Sequence, residues 1–121
     1  MALFHELAHW LHLHGPPSYR KRIRDLYHSL TLGSKVKELP NYKGCYGRSG
    51  TLYDEYAGRE YDIAFFEGTD ARPDDGVEIP SKYLELLADP ETLIKLTNEK
   101  LRRNVVAFNR TFEKVLSVFL Q

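Results

Sequence analysis

Two histidines and a glutamate near the start of the chain have residue types and a spacing that could support metal-dependent chemistry. Residues 5–9 read His-Glu-Leu-Ala-His, which separates His5 from His9 by one helical turn. On a helix both imidazoles lie on one face and can bind one zinc ion, about 2 Å from each nitrogen. Glu6 is displaced around the helix by one residue, so that it can reach a water molecule bound to the ion. The pattern predicts two metal ligands and a general base.

A third ligand must come from a separate element, because a catalytic zinc site combines three protein ligands with one open position. Glu78 is the best candidate, since it stands at the start of a predicted helix. Glu85 follows on the same face of that helix and could orient a zinc-bound imidazole. The alternative is a solvated acidic helix face, and the spacing alone leaves both interpretations open.

The other histidines carry weaker signals. His12 follows His9 by three residues on the same side of the helix, and we expect it to support a ligand or to lie at the surface rather than to bind the ion. His14 and His28 belong to no pattern, and we expect both at the surface. The rival interpretation of the whole segment is an amphipathic helix whose histidines are merely exposed.

Size and composition predict one domain over residues 1–121. Seventeen basic and seventeen acidic residues cancel, which gives no electrostatic case for nucleic acid or an anionic membrane. No apolar run is long enough to span a membrane, and we expect a cytoplasmic protein. Cys45 is the only cysteine, which excludes an intramolecular disulfide and a cysteine zinc cluster. The basic run 19–24 is expected to be the solvated face of a helix that buries Ile23, Leu26 and Leu30.

The first half of the chain divides into two predicted helices and a region of strands. A helix is expected over 1–14, ended by Gly15, and a second over 18–32, capped by Ser18 and closed by Gly33. Residues 34–62 combine four glycines with five tyrosines, which indicates short strands and turns with one hairpin.

The second half is predicted to be a polar loop followed by helices. The loop covers 67–77, and a helix over 76–88 carries Pro80 in its first turn. Asp89 and Pro90 are expected to begin a further helix that continues to Leu120 with one break near Thr97. Its predicted apolar stripe consists of Val105, Phe108, Phe112, Val115, Leu116 and Phe119. The predicted class is α+β and mostly helical, with a small β-hairpin region.

The two ends of the sequence bear on its organisation. The metal-binding helix begins at the first residue, although such helices usually pack on a sheet that precedes them. The sequence ends in the apolar stretch 118–120. We expect a domain cut from a larger chain, a minimal version of the fold, or an oligomer.

Two motifs resemble those of the thimet oligopeptidase family. Residues 3–12, Leu-Phe-His-Glu-Leu-Ala-His-Trp-Leu-His, are similar to the active-site helix of that family. Residues 77–85, Val-Glu-Ile-Pro-Ser-Lys-Tyr-Leu-Glu, resemble the motif that carries its third ligand, with Lys82 in place of a glutamine. The resemblance implies a zincin-like (gluzincin) fold with His5, His9 and Glu78 as zinc ligands and Glu6 as the base.

A second resemblance accommodates the long spacer between the two motifs. Zincin-like domains attached to Mu-type phage head morphogenesis proteins also have a His-Glu-x-x-His helix, a Tyr-Ala-Gly segment and a later acidic helix followed by Asp-Pro-Glu. The corresponding stretches here are 56–58, 78–85 and 89–91. This resemblance implies a chain encoded by a phage or prophage.

The predicted function is zinc-dependent hydrolysis of a peptide or protein substrate, with Glu6 as general base. A tyrosine of the glycine-rich region is expected to stabilise the oxyanion, first Tyr56 and then Tyr53 or Tyr61. The first alternative is a non-catalytic phage structural or docking module with a zinc site. The second is a toxin-like protease of a mobile element.

Overall fold

A computed structural model describes residues 2–89, 91 and 96–119 of the chain. The described residues form four helices and one small sheet, which confirms the predicted class of mostly helical α+β. The helices are α1 (Ala2–His14), α2 (Pro17–Leu30), α3 (Glu78–Ala88) and α4 (Glu99–Phe119), and the strands are β1 (Lys37–Leu39), β2 (Tyr42–Gly47) and β3 (Arg59–Glu60). Short 3-10 turns occupy Glu55–Gly58, Ile63–Phe66 and Pro73–Asp75. Within the described part of the chain, no helix has both the length and the apolarity that crossing a membrane requires.

The ends of α1 and α2 follow local steric rules. Gly15 ends α1 as predicted, because its N–H donates to Leu11 O at 2.8 Å and a Cβ at this position would lie 2.4 Å from that oxygen. The prediction that Ser18 caps α2 is wrong. The helix begins at Pro17, which needs no hydrogen-bond acceptor for its nitrogen, and Pro16 is the cap residue. The helix ends at Leu30, two residues before the predicted end.

The strands form one antiparallel sheet in the order β1-β2-β3, which extends the predicted hairpin by one strand. Two glycines permit the close approach of the segments around β2 and β3. A Cβ on Gly47 would lie 2.1 Å from Gly58 O, and a Cβ on Gly58 would lie 1.8 Å from Arg48 O. These glycines are therefore required by contact distance and not by turn geometry.

The core lies between α2, α3 and α4. The buried positions of α2 include the predicted Ile23, Leu26 and Leu30. Arg20 departs from the predicted solvated face, because it is only 4% exposed and donates to His12 O and to Asp70. The largest fully buried side chains of this core are Tyr19, Ile23, Tyr27, Ile79, Tyr83, Leu101 and Phe108.

Helix α4 confirms part of the predicted C-terminal stripe. Val105, Phe108 and Val115 are buried, and Phe112 packs against them. Residues 96–98 form a turn before the helix, as the predicted break near Thr97 requires. Pro90, Leu120 and the side chains of Leu116 and Phe119 lie outside the described residues, and so does the helix predicted to begin at Asp89 and Pro90.

Asn104 of α4 is a buried polar residue that joins three parts of the fold, and it is 1% exposed. Its Oδ1 accepts from Tyr53 N at 3.0 Å and from the Tyr83 hydroxyl. Its Nδ2 donates to Thr51 O at 2.9 Å and to Lys100 O at 3.1 Å. The amide therefore satisfies backbone groups of the loop that no strand pairs.

We predict that Asn104→Ala lowers the free energy of unfolding by about 2–4 kcal/mol, because it leaves several buried donors and acceptors without partners. Denaturant unfolding monitored by circular dichroism measures this change. Asn109→Ala on the exposed face of the same helix is the control, with an expected change of at most about 0.5 kcal/mol. Equal effects of the two substitutions would contradict the role of Asn104.

Candidate metal centre

Three predicted ligands meet where α1 packs against α3. His5 and His9 extend from one face of α1, and Glu78 is the first residue of α3. His9 Nε2 lies 3.0 Å from His5 Nε2 and 3.1 Å from Glu78 Oε1, and His5 Nε2 lies 3.9 Å from Glu78 Oε1. The structure thus brings together residues far apart in sequence.

These separations can be tested against the size of a zinc site. The equidistant point in the plane of these three atoms lies about 2.0 Å from each, which matches nitrogen and oxygen bonds to zinc. Ligands of a tetrahedral site with such bonds are about 3.3 Å apart. The donor set of two imidazoles and one carboxylate is also one that zinc favours. The residues fit a zinc ion in both distance and chemistry.

The Glu78 carboxylate is fully buried and fully partnered. Ser81 Oγ donates to Oε1 at 2.9 Å, and the Tyr61 hydroxyl donates to Oε2. Burial alone would raise the pKa of Glu78, but the hydrogen bonds from His9 and Tyr61 outweigh it and lower that pKa to about 2. The carboxylate is therefore held in the ionised form that a metal ligand requires.

His5 has a carboxylate on its other side. Its Nδ1 lies 3.5 Å from Glu85 Oε1, while its Nε2 faces His9 and Glu78. A carboxylate beside the distal nitrogen of an imidazole favours the tautomer whose other nitrogen is free to bind a metal. This contact agrees with the orienting role predicted for Glu85.

His12 belongs to a buried cluster adjacent to the candidate centre. Of the two positions expected for His12, the surface is excluded, because its side chain is 0% exposed. His12 Nε2 lies 3.3 Å from Asp75 Oδ2, within ion-pair distance but without the alignment of a good hydrogen bond. Asp75 also accepts from Arg24 Nε at 2.7 Å and Arg72 N at 2.8 Å. Burial opposes ionisation of Asp75, but these partners, His12 first, lower its pKa.

The remaining two histidines lie outside the candidate centre. His14 is exposed, as predicted. His28 is half-buried and pairs with Asp74 Oδ2 at 2.8 Å, rather than lying free at the surface.

Solvent reaches the candidate centre from the His5 side. The exposed fraction of the side chain falls from 37% at His5 to 18% at His9 and 0% at Glu78. Glu6 is exposed on α1, next to His5, and forms no ion pair with any residue that the structure describes. Leu7 and Trp10 are exposed beside it, at 48% and 58%. The predicted base thus lies on the open side of the helix.

The three candidate tyrosines have different positions. Tyr61 contacts Glu78 directly, whereas the Tyr56 hydroxyl lies 3.3 Å from the Tyr61 hydroxyl and so is one hydrogen bond further away. Arg59 Nη1 donates to Tyr56 at 2.7 Å. Tyr53 lies elsewhere, with its backbone bonded to Asn104. Burial and the hydrogen bond to Glu78 raise the pKa of Tyr61, which keeps it a donor.

Sequence reasoning did not find the partners of Glu78. Ser81 follows it by three residues in the first turn of α3, a spacing at which side chains on a helix meet, and this signal was available. The position of Tyr61 had no comparable signal, because its contact with Glu78 depends on how the strand region folds over α3. Asp75, which pairs with His12, had no signal either, because it stands in an ordinary acidic loop, three residues before Glu78.

Comparisons with known proteins give no further guide to the site. No protein-family model, no curated protein and no solved structure is significantly similar to this chain.

Proposed function

We propose that the chain is a zinc-dependent peptide hydrolase in which His5, His9 and Glu78 bind the metal and Glu6 is the general base. The observation that carries the proposal is the convergence of three donor atoms on a point about 2.0 Å from each. Zinc is the metal proposed, because catalytic zinc sites use this donor set and the His-Glu-x-x-His spacing supplies a glutamate beside it. The group is also the one cluster of potential ligands found among the described residues.

A bound zinc ion would supply Lewis acidity, which lowers the pKa of water and polarises a carbonyl. The proton transfers and the orientation of the ligands are assigned to groups of the protein. Glu6 accepts the proton of the attacking water and delivers it to the departing amine, so that no free acid or base is needed. Glu85 lies within ion-pair distance of His5 Nδ1, at 3.5 Å, where it favours one orientation of the ring. Peptide hydrolysis thus has a named group for each proton that moves.

Tyr61 is the tyrosine best situated to act at the site. Its hydroxyl holds Glu78 Oε2, which leaves Oε1 as the ligand atom and favours binding through one oxygen. The oxyanion role predicted for Tyr56 stays a prediction. Its hydroxyl reaches the centre only through Tyr61, whose single hydroxyl proton is already donated to Glu78.

We predict that the native chain binds zinc and that His5→Ala or Glu78→Ala weakens the affinity at least about a hundredfold, the upper range seen when even an outer partner is removed. Competition with a chromogenic chelator measures the affinity. His14→Ala is the matched control, because His14 is exposed on the same helix. Native affinity in the His5 and Glu78 variants would remove the basis for the metal centre.

We predict that Glu6→Gln retains zinc but slows peptide cleavage by about 10²–10⁴-fold, the usual contribution of a general base. Cleavage of a mixed peptide library is followed by mass spectrometry. Glu67→Gln, at an exposed loop position, is the control and keeps native activity. Zinc bound by both proteins with cleavage by neither would refute hydrolysis and leave a non-catalytic zinc module. If the peptides of the library are not cleaved but a single host protein is, the toxin-like alternative is favoured.

We predict that Tyr61→Phe lowers the zinc affinity about 10–100-fold, because it removes the donor that holds the second oxygen of Glu78. The same chelator competition detects the loss. Tyr53→Phe is the control, since Tyr53 is 41% exposed and forms its described hydrogen bond through the backbone. An unchanged affinity in the Tyr61 variant would show that this hydroxyl does not support the ligand.

A further inference from the structure

A pocket of about 650 Å³ adjoins the candidate metal centre at Tyr61. Strand β2 contributes Cys45 and Tyr46 to its wall, and β3 contributes Arg59. Tyr61 lines the pocket and also donates to Glu78, so that one phenol ring separates the pocket from a proposed metal ligand. A substrate at the metal centre could therefore extend a group past Tyr61 into this pocket.

Arg59 is held rigidly in the wall of this pocket. Its guanidinium carbon lies 4.1 Å from the centroid of the Tyr61 ring and 5.4 Å from that of Tyr56. Nη1 donates to the Tyr56 hydroxyl at 2.7 Å. Stacking on aromatic rings and one fixed hydrogen bond restrict the rotamers of the side chain, which reduces the entropy lost when it binds a partner.

This guanidinium has no carboxylate partner among the residues that the structure describes. Five other arginines have one in the described structure, and Arg22, Arg102 and Arg110 do not. The pairs are Arg20 with Asp70, Arg24 with Asp75, Arg48 with Glu60, Arg72 with Asp74 and Arg103 with Glu99. Arg59 Nε is buried and makes no hydrogen bond. Nη1 donates to Tyr56, and Nη2 makes no hydrogen bond with any residue that the structure describes, so the outer edge of the guanidinium is the part available to an anion.

The neighbouring carboxylates do not pair with Arg59, so that it remains available to bind an anion. Glu60 follows Arg59 in sequence, but its carboxylate is taken by Arg48 Nε at 3.0 Å and by the Tyr27 hydroxyl at 2.7 Å. Asp62 lines the pocket and is exposed, and it forms no ion pair with Arg59 in the described structure. The carboxylates within reach of the pocket therefore do not neutralise Arg59.

Exposed apolar side chains share the pocket wall with Glu60 and Asp62. Ile63 is 77% exposed, Tyr46 51% and Phe65 48%, so that together they present apolar surface to a ligand in the pocket. The pocket thus combines a fixed guanidinium with adjoining apolar surface. A carboxylate attached to an apolar residue complements both parts.

We propose that this pocket binds a carboxylate of the peptide substrate, with Arg59 as the recognition residue and the apolar wall around the adjoining side chain. The proposal rests on the proposed function in assuming a peptide at the metal centre. The carboxylate has two sources, the free C-terminus of a peptide or an acidic side chain. Both present the planar anion that a guanidinium binds through two parallel hydrogen bonds.

Cys45 offers a direct test that needs neither zinc nor cleavage. It is the only cysteine of the chain and lines the same pocket, two residues along β2 from Gly47, which is paired with Arg59. The rate of its alkylation by a maleimide is measured in full-length Glu6→Gln with a chelator present. The added probes are N-acetyl-phenylalanine, its C-terminal amide, and N-acetyl-glutamate α-amide.

We expect N-acetyl-phenylalanine to slow the alkylation in a saturable manner, at a concentration at least about tenfold below that needed by its amide. Protection by the glutamate probe at equal strength would identify an acidic side chain as a second source of the carboxylate. Equal protection by the acid and the amide of phenylalanine would overturn the proposal, since it would show an apolar pocket without anion recognition. Absence of protection by every probe would overturn it as well.

Arg59 variants separate recognition from folding. Arg59→Met should raise the protecting concentration of N-acetyl-phenylalanine at least about tenfold, and Arg59→Lys, which keeps the charge but loses the planar fork, should raise it less. Arg103→Met is the matched control, because Arg103 is 76% exposed on α4 and pairs only with Glu99 in the described structure. Native protection in Arg59→Met would refute the assignment. If Arg59→Met does not fold, the proposal is still tested by comparing the protection given by N-acetyl-phenylalanine and by its amide in Glu6→Gln.

The final measurement distinguishes this proposal from the proposed function. Zinc-loaded native chain is given peptides with a free or amidated C-terminus, and we expect cleavage of the free acid to be faster by at least about tenfold. Carboxylate-dependent protection of Cys45 without any cleavage would support the pocket and refute hydrolysis. Cleavage of both peptides at one rate, by the native chain and by Arg59→Met alike, would support hydrolysis and overturn the pocket.

Discussion

The buried carboxylate of Glu78 is the constraint on which the candidate centre depends. A carboxylate removed from water costs several kcal/mol unless it is paired and hydrogen-bonded. Its partners come from three separate parts of the chain, His9 on α1, Ser81 on α3 and Tyr61 after β3. The first helix, the third helix and the end of the sheet must therefore be in place together. With an uncharged residue at position 78, no buried charge would need these partners, and the three elements would not have to meet there.

The same pairing repeats along the interface between α1 and the segment that leads into α3. Three histidines on one face of α1, at positions 5, 9 and 12, meet carboxylates at positions 85, 78 and 75. The numbers rise in one series and fall in the other, so that the two segments run antiparallel. His12 and Asp75 occupy the fully buried end of this series, and His5 and Glu85 the exposed end. The gradient of burial follows from the direction in which the helices pack.

Sequence reasoning reached those parts of the site that depend on short spacing. The helical period places His5 and His9 together. Glu78 was singled out by its position at the start of the third helix, and the choice between a ligand and a solvated carboxylate there was made from a resemblance to known motifs. It ranked Tyr56 above Tyr61, because a pattern cannot say which of two tyrosines meets a buried carboxylate from another element. It also missed Asn104, whose partners at Tyr53 and Tyr83 are remote in sequence. The helices were predicted well since their periodicity is local, whereas the third strand is only two residues long.

The asymmetry of the centre bears on the choice between catalysis and a structural metal. A structural zinc site is closed by four protein ligands, whereas a catalytic site keeps one position for substrate. The nearest further histidine, His12, is committed to Asp75 on the buried side, and the described residues supply only the three donors of the cluster. Exposure increases from Glu78 towards His5, and Glu6, the next residue along α1, is exposed as well. A fold that needed zinc only for stability would have no reason to keep that side open with a carboxylate next to it, and this favours the catalytic proposal.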